Sequence, residues 1–280
     1  DIDGVDKPIG EAIKYNLGGQ YNILSKIVNF KEYGSNSSRT RTLVIGIRKD
    51  IQDVSPFDIF PKKQKAKSLR QLIGDLPALE EMGEISEDIF HAYREFDQRM
   101  LPWIENLDEG QSAFEQTDEL RIPHRIIDGK LVPNKSKNGD KYARWYWDKE
   151  GPCVHTRNDI LSSQNTVHPR DNRVFSIREL MRMMSIPESF EWYNVKTKDL
   201  NERTHLEKKL FLKKEELNIR HCLGEAVPTG VFKSIASNIK KFYKKEKISS
   251  SEISSLVAEN KLNITDNLIN FIKDNFTEIS

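Results

Sequence analysis

The chain has 280 residues, of which 37% are hydrophobic and 31% charged, with a formal net charge of +1, a composition that excludes disorder throughout. No apolar stretch approaches the roughly 20 residues of a membrane span and no signal peptide is recognisable, so we expect a cytoplasmic protein without a membrane partner. Cys153 and Cys222 lack Cys-x-x-Cys or histidine neighbours, which argues against a disulfide scaffold and against a zinc or other metal site.

The first predicted elements are a helix and two strands. Apolar residues recur at helical spacing over residues 9–17, and Gly18 ends the helix. Residues 21–30 alternate imperfectly between polar and apolar and predict a strand, and a loop follows at residues 33–38. The short apolar run 42–47 is typical of a strand buried in a sheet.

The rest of the chain divides into a short helix, an irregular stretch and a helical end. Residues 68–73 predict a helix that Gly74–Pro77 closes. Residues 78–167 are poor in periodicity and rich in turn signals such as Asp128-Gly129. Beyond residue 245, capping residues at Ser249 and Thr265 predict two amphipathic helices.

Basic residues concentrate in three segments although the net charge is near zero. These segments are residues 62–67, 141–145 and 240–245, and the last two are interleaved with aromatic residues. Such segments could contact the phosphates of a nucleic acid. The alternative is that they are solvated faces of helices or loops.

Two motifs carry recognisable local chemistry. Arg39 and Arg41 stand on either side of one residue at the start of an apolar strand, after a Gly-Ser-Asn-Ser-Ser loop. Their planar, permanently charged guanidinium groups suit a base edge or a carboxylate. Further along, Ser176 and Glu179 form a capping box that begins a helix.

Three sequence blocks together resemble a known family. They are EYGSNSSRTRTLVIGIRKD at 32–50, HPRDNRVFSIRELMRMMSIPESF at 168–190 and LGEAVPTGVFKSIASNI at 223–239. In this order they resemble the eighth, ninth and tenth conserved blocks of DNA cytosine-5 methyltransferases. The resemblance implies an α/β fold: the end of a Rossmann-like methyltransferase sheet plus a small, irregular, mostly β target-recognition domain.

The resemblance also implies a domain organisation. Residues 1–77 would be the C-terminal part of the catalytic sheet, and residues 78–222 the target-recognition domain including the ninth block. Residues 223–245 would be a helix that returns to the catalytic domain, and residues 246–280 an appended helical tail.

The resemblance assigns roles to the matching residues of the first and second blocks. Arg41 would hold a flipped cytosine, and Arg39 would organise the pocket beside it. This chain has Asn36-Ser37 where the family usually has Pro-Gln. In the ninth block a supporting role, between recognition domain and catalytic domain, falls to Arg173, Ser176, Arg178 and Glu179.

In the third block the resemblance places a cofactor contact. Glu225 and Ala226 would line the S-adenosylmethionine site, with Glu225 standing where the family usually has Asn. Its carboxylate could bond the ammonium group of the methionine part, or backbone groups alone could serve.

Candidate DNA contacts lie in the irregular stretch. The string around Trp147 and Cys153 resembles the end of the recognition region, which implies that Cys153 replaces a Thr that touches the DNA backbone and is not the nucleophile. Arginine suits guanine edges, and Asn or Gln suits adenine edges. The candidate base-contacting side chains are Arg144, Arg157, Asn158, Gln164 and Asn165.

The family's glycine-rich methyl-donor loop, Pro-Cys-Gln nucleophile and Glu-Asn-Val block should precede the first match. We therefore expect a component of a DNA cytosine-5 methyltransferase that binds double-stranded DNA and needs a second chain, or a missing N-terminal half, that carries those blocks. The chain would be a natural subunit of a split enzyme or a fragment. The alternatives are a catalytically inactive DNA-binding or regulatory protein derived from the family and an unrelated α/β binding module.

Overall fold

The computed structural model describes residues 8–135 and 139–245. The two helices predicted within residues 246–280 lie outside the described residues. Within the described ranges the helices are α1 (Ile9–Leu17), α2 (Pro56–Ile59), α3 (Leu69–Ile73), α4 (Leu101–Ile104), α5 (Ile177–Met183), α6 (Thr197–Asn201), α7 (His205–Glu225) and α8 (Thr229–Lys245). The strands are β1 (Tyr21–Asn29), β2 (Thr40–Arg48), β3 (His124–Ile127) and β4 (Lys130–Pro133).

The described residues form two compact units. The first takes in the chain up to Val28, Thr40–Lys63 and the chain from Val231 onward, and the second takes in Asn29–Arg39 and Gln64–Gly230. The boundaries expected at residues 77, 222 and 245 remain predictions.

The first unit is built on the two-stranded sheet β1-β2. The predicted order of helix, strand, loop and strand is confirmed, with β1 ending one residue earlier and β2 extending beyond the predicted run at both ends. In β2 the side chains of Leu43 and Ile45 are buried, at the period of two that a strand with one covered face requires. The neighbouring α1 buries none of its residues.

Two hydrophobic clusters lie in the described part of the second unit. The larger one packs α3, α5 and α7 together through Leu69, Ile73, Leu180, Ile219 and Leu223, each at most 2% exposed. Capping boxes begin all three helices, at Ser68, Ser176 and Thr204. The predicted helix at residues 68–73 is thus confirmed, whereas the 21-residue α7 was not predicted.

The smaller cluster of the second unit supports the irregular stretch. It contains Trp103, Ile104, Tyr142, Val167 and Val174, all at most 7% exposed.

Regular strands in the described part of this stretch are limited to the antiparallel hairpin β3-β4, in which His124 lies opposite Pro133 and Ile127 opposite Lys130. Asp128 and Gly129 take φ values of 51° and 74°, which is the left-handed pair of a type I′ turn, as the Asp-Gly signal predicts. None of the helices in the described ranges is long and apolar enough to cross a membrane.

Candidate functional site

Arg39 joins three separate parts of the sequence within the second unit. Its Nη1 lies 2.9 Å from the carbonyl oxygen of Ala226, 3.1 Å from that of Gly224 and 3.4 Å from that of Val154. The side chain is half-buried. A guanidinium that donates to the carbonyls at the end of α7 also complements the negative end of the helix dipole. Arg39 is therefore placed to organise the turn after α7.

Arg41 has a different environment. Its side chain is exposed at the start of β2, and its Nη1 donates to the carbonyl oxygen of Thr40 at 2.7 Å. Because this bond uses one N–H group, most of the donors of the Arg41 guanidinium remain available to another molecule.

The loop that precedes Arg39 is held by hydrogen bonds inside the second unit. The carbonyl oxygen of Asn36 accepts from the Gly151 N–H at 2.8 Å, and the Ser38 N–H donates to the carbonyl oxygen of Gly151 at 2.9 Å. The Asn36 side chain donates to the Ser185 hydroxyl at 3.3 Å. Asn36, which stands where the resemblance would place a proline, thus has defined structural contacts.

The turn after α7 is tied to the helix α5 segment as well. The Thr229 hydroxyl donates to the carbonyl oxygen of Ser185 at 2.6 Å. Together with Arg39 and Asn36, this bond brings the eighth, ninth and tenth blocks together in the second unit. Sequence reasoning missed Thr229 and Ser185, because nothing in their local pattern indicates this pairing.

Glu225 and Ala226, the predicted cofactor residues, differ in their availability. The Glu225 side chain is exposed, and its Oε2 lies 3.5 Å from Nδ1 of His221 on the same helix. Both backbone groups of Ala226 are used internally, since its N–H donates to the Cys222 carbonyl at 2.9 Å and its carbonyl accepts from Arg39. The exposed carboxylate of Glu225 is therefore the more accessible of the two predicted cofactor contacts.

The ninth block is a buried charge network. Arg173 is fully buried and donates to Glu179 through Nη1 and Nη2, both at 2.8 Å. It also donates to Asp171 Oδ2 through Nη2 at 2.7 Å and Nε at 3.0 Å. Burial opposes ionisation of both carboxyls, but the neighbouring charges and hydrogen bonds outweigh it and hold the pKa of Glu179 and of Asp171 below the ordinary value.

Two buried histidines complete this network. His91 Nε2 lies 3.0 Å from the carbonyl oxygen of Pro77, and its Nδ1 lies 3.0 Å from the Ser176 hydroxyl. His168 accepts the Asp171 N–H at Nδ1 at 2.9 Å. Burial lowers the pKa of His168 to about 3, because a charged imidazolium would lose its hydration there.

Ser176 and Arg178 also make contacts within the second unit. The Ser176 hydroxyl accepts from the Glu179 N–H at 3.2 Å, and the Ser176 N–H donates to Glu179 Oε2 at 2.7 Å, which is the predicted capping box. Arg178 is paired with Asp88 and stacks over the ring of Phe90 at 5.6 Å. These contacts fit the supporting role predicted for the block.

Arg144 requires a correction, because it was predicted to contact bases. Its side chain is buried, at 4% exposure, and its guanidinium donates to the carbonyl oxygens of Ile104 at 2.7 Å and His168 at 2.8 Å and to Oδ1 of Asn172 at 2.6 Å. Burial lowers its pKa, although the charge of Asp171 opposes this effect. A guanidinium enclosed by acceptors supports the loops of its own unit and offers no donor to DNA in this conformation.

Asn158 requires the same correction. It is 3% exposed, and its Nδ2 donates to the carbonyl oxygens of His155 at 2.6 Å and Arg220 at 2.9 Å. Arg220 Nη1 in turn lies 3.2 Å from both Asn158 oxygens. The pair connects the loop to α7, and no local pattern indicates it because the two residues stand 62 positions apart.

The remaining predicted DNA contacts are exposed or half-buried. Arg157 is exposed and lies 3.2 Å from Asp159. Gln164 is exposed and donates to Asp140 at 2.9 Å. Asn165 is half-buried, with a φ of 52°. Cys153 is a free, half-buried thiol two residues after Gly151. The assignment of all four to DNA remains a prediction.

Comparison with known proteins gives the family. The C-5 cytosine-specific DNA methylase family matches residues 15–241. Type II methyltransferase M1.HgaI of Avibacterium volantium is 28% identical over 247 residues, which are 85% of this chain and 61% of that protein. Type II methylase M.HgiDII of Herpetosiphon aurantiacus is 22% identical, over 79% of this chain and 56% of its own length.

A solved structure shows the fold. The crystal structure of a prophage-encoded E. coli protein, described as a candidate DNA modification methyltransferase, superposes with a TM-score of 0.54 at 15% identity, covering 84% of this chain and 65% of the other. The fold is the mixed α/β fold of the methyltransferases. The chain spans less than two thirds of the length of the two curated relatives named above. It belongs to the C-5 cytosine-specific DNA methylase family.

Proposed function

We propose that this chain is a component of a type II DNA (cytosine-5)-methyltransferase, which transfers a methyl group to C5 of a flipped cytosine within a specific sequence of double-stranded DNA. The chain would supply target recognition and part of the base pocket. The observation that carries this proposal is a contrast between two arginines of one motif. The Arg39 guanidinium donates to the carbonyls of Gly224 and Ala226, whereas the Arg41 guanidinium is exposed.

Arg41 is the residue we assign to the base. C5 of a stacked cytosine is out of reach, so an enzyme that alters it takes the base out of the duplex and holds its polar edge. A planar guanidinium with several free N–H donors suits the acceptor atoms on that edge. An inactive DNA-binding protein would not need an arginine that holds a flipped base at the start of β2.

S-adenosylmethionine is the methyl donor that the family implies, and it supplies an electrophilic methyl group. Of the two predicted contacts, the exposed Glu225 carboxylate fits the ammonium group of such a ligand, as a charge-assisted acceptor. Ala226 contributes indirectly, because its backbone groups hold the turn through Arg39 and Cys222.

The nucleophile and most of the donor pocket would come from outside these 280 residues, either from a second chain or from further sequence of a longer chain. Cys153 is unsuited to the task, since the cysteine of the family stands in Pro-Cys-Gln and here the sequence is Pro-Cys-Val. The two-stranded sheet of the described first unit also supports this division, because such a sheet gains little stability without further strands.

The test is transfer of labelled methyl from S-adenosylmethionine to DNA, by this chain alone and after co-expression with a polypeptide that carries the glycine-rich, Pro-Cys-Gln and Glu-Asn-Val blocks. We expect activity in the combined preparation, reduced on the order of 10²-fold by Arg41→Ala. Arg48→Ala is the matched control, because Arg48 is an exposed arginine at the other end of β2 and pairs with Asp50.

Two outcomes would contradict the proposal. Activity of this chain alone would mean that the nucleophile lies within it. Sequence-specific DNA binding without methyl transfer in any combination would instead favour the inactive, regulatory alternative.

A further inference from the structure

The β3-β4 hairpin exposes every side chain of one of its faces. In the antiparallel register Arg125 lies opposite Val132, and the next pair is Ile127 and Lys130. Residues opposite each other, and residues two apart along a strand, point to the same face of a sheet, so these four side chains share one face. All four are exposed, including the aliphatic Ile127 at 48% and Val132 at 39%. We call these four residues the outer face of the hairpin.

The opposite face of the hairpin holds it to the second unit. His124 and Leu131 lie on that face and are half-buried. The His124 ring stands edge-on to the buried Trp103, with centroids 5.5 Å apart. An isolated two-stranded hairpin is marginally stable, so this packing supports it. One face is therefore used for attachment, and the outer face is left for another molecule.

The outer face carries two positive charges. Arg125 Nε donates to the neutral side-chain oxygen of Asn134 at 3.1 Å, a contact that uses one of five guanidinium donors and leaves the charge in place. Neither Arg125 nor Lys130 forms an ion pair with a residue that the structure describes. From Arg125 to Lys141 the sequence has five lysines and arginines but two aspartates, although the whole chain is nearly neutral. This segment therefore favours an anionic partner.

The charges also argue against a second copy of this chain as the partner. Both strands of the hairpin are edge strands in the described sheet, and an edge can pair with a further strand. Arg125 on β3 and Lys130 on β4 place a cation on each strand, and charged side chains on an edge oppose such pairing. A second hairpin of the same sequence would add like charges opposite them.

We propose that the β3-β4 hairpin enters the major groove of DNA with its outer face toward the bases. Neighbouring strands lie about 5 Å apart, and the major groove is about 12 Å wide and admits a two-stranded ribbon. Arg125 would donate to O6 and N7 of a guanine, and Ile127 and Val132 would contact thymine methyl groups. Lys130, beside the turn, would contact a phosphate. The inference rests on the proposed function, which names double-stranded DNA as the partner.

The first experiment measures DNA binding by the full chain without methyl transfer. Selection from a pool of random duplexes gives the preferred sequence, and fluorescence anisotropy gives the affinity for it. In that duplex, 7-deazaguanine removes the N7 acceptor of one guanine, and uracil removes the methyl group of one thymine. Both groups lie in the major groove. We expect about three- to tenfold weaker binding at one guanine and at one thymine.

Arg125→Gln and Ile127→Ala connect these bases to the hairpin. Arg125→Gln should bind the preferred duplex about 5- to 150-fold more weakly and lose the effect of 7-deazaguanine at its position. Ile127→Ala should lose the effect of uracil at one thymine. Ile126→Ala is the matched control, because Ile126 is 65% exposed on the same strand but points to the other face. Arg99→Gln is the control for the arginine, since Arg99 is exposed and lies outside the hairpin.

Lys130→Gln tests the phosphate contact. It should lower the slope of log affinity against log salt concentration by about one and leave the base preference unchanged. Because the substituted side chains are exposed, these variants should fold as the unmodified chain does.

The inference is overturned if the full chain binds no duplex DNA, alone or after co-expression. It is also overturned if Arg125→Gln and Ile127→Ala keep the affinity and the base preference of the unmodified chain. Selective binding that requires both residues, without methyl transfer in any combination, would support this inference and contradict the proposed function. Methyl transfer with the same sequence preference in both variants would do the reverse.

Discussion

At the scale of single residues, Arg173 shows how the ninth block is held together. Its guanidinium is fully buried and makes four contacts of 2.7–3.0 Å with Asp171 and Glu179. The energetic value of such an ion pair against an apolar replacement is small, but removal of one partner leaves uncompensated buried charge. Truncation of one charged side chain in this block should therefore cost more free energy than the ion pair itself contributes to stability.

Arg173→Ala should lower the free energy of unfolding by about 3–5 kcal/mol, because Asp171 and Glu179 would remain buried without their cation. Urea unfolding of the full chain measures the change. Arg70→Ala is the control, since Arg70 forms a similar two-point pair with Asp148, at 2.8 and 3.0 Å, that is exposed to solvent. Its unfolding midpoint should barely move. Equal effects of the two variants would show that the buried network is not needed for the fold.

His168 predicts a specific dependence of stability on pH. Its pKa is about 3 in the folded chain, mainly because of burial, against about 6.5 when unfolded. Between these values the unfolded state takes up a proton that the folded state does not. Stability contributed by this residue is thus complete above about pH 6.5 and falls on acidification, by about 2 kcal/mol at pH 5.

Unfolding measured at pH 7 and at pH 5 checks this prediction for His168. His168→Asn keeps an acceptor for the Asp171 N–H but cannot be protonated, so the part of the difference due to His168 should vanish in it. The same loss between pH 7 and pH 5 in both proteins would assign the effect to other groups.

At the scale of secondary structure, the end of α7 depends on a close approach of two backbones. A Cβ at Gly224 would lie 2.4 Å from the carbonyl carbon of His155 and from the nitrogen of Thr156, and backbone atoms cannot swing aside. The same glycine gives its carbonyl to Arg39. The missing side chain therefore lets α7 approach the backbone of His155 and Thr156 closely, beside the turn that we propose contacts the cofactor.

Gly224→Ala should destabilise the chain by about 1–3 kcal/mol through overpacking, and should reduce methyl transfer in the combined preparation. Gly10→Ala in α1 is the control, because a Cβ there meets nothing within 4 Å. Alanine should leave stability unchanged or raise it by up to about 1 kcal/mol, since it favours helix over glycine. Thermal unfolding compares the two, and an unperturbed Gly224→Ala protein would argue against the close contact.

Elements with local signals were predictable from the sequence, and elements decided by distant contacts were not. The helix at Ser176 and the Asp-Gly turn at residue 128 follow from capping and turn chemistry within a few residues. The helix α7 was not predicted because its apolar residues do not lie on one face. Leu206, Leu210 and Leu217 are exposed, whereas Ile219 and Leu223 are buried.

At the scale of the whole molecule, the same limit applies to the candidate site. Arg41 and Arg144 were both predicted to contact bases, yet Arg41 is exposed and Arg144 is enclosed by carbonyls from residues 40 positions before it and 24 after it. The order of the three sequence blocks indicated the family, because the order of motifs can be read directly from the sequence. The burial of a polar side chain depends on which loops fold over it, and no local pattern records that.

The two compact units differ in how much apolar surface they bury. The first unit, in its described part, rests on a two-stranded sheet with few buried side chains, such as Leu43, Ile45 and Phe60. In the second unit, six of the seven residues of α5 are buried. Local opening is easiest where few apolar contacts hold the backbone, so the units should differ in stability.

Hydrogen–deuterium exchange of the full chain should therefore show faster exchange for the amides of β2 than for those of α5. If the proposed function is correct, co-expression with the polypeptide that carries the remaining blocks will slow exchange in β2, because additional strands would cover its faces and pair its edge. Exchange in α5, which already has its partners, should stay the same. Equal protection of β2 and α5 in this chain alone would show that the first unit needs no further strands, and would remove that support for a divided enzyme.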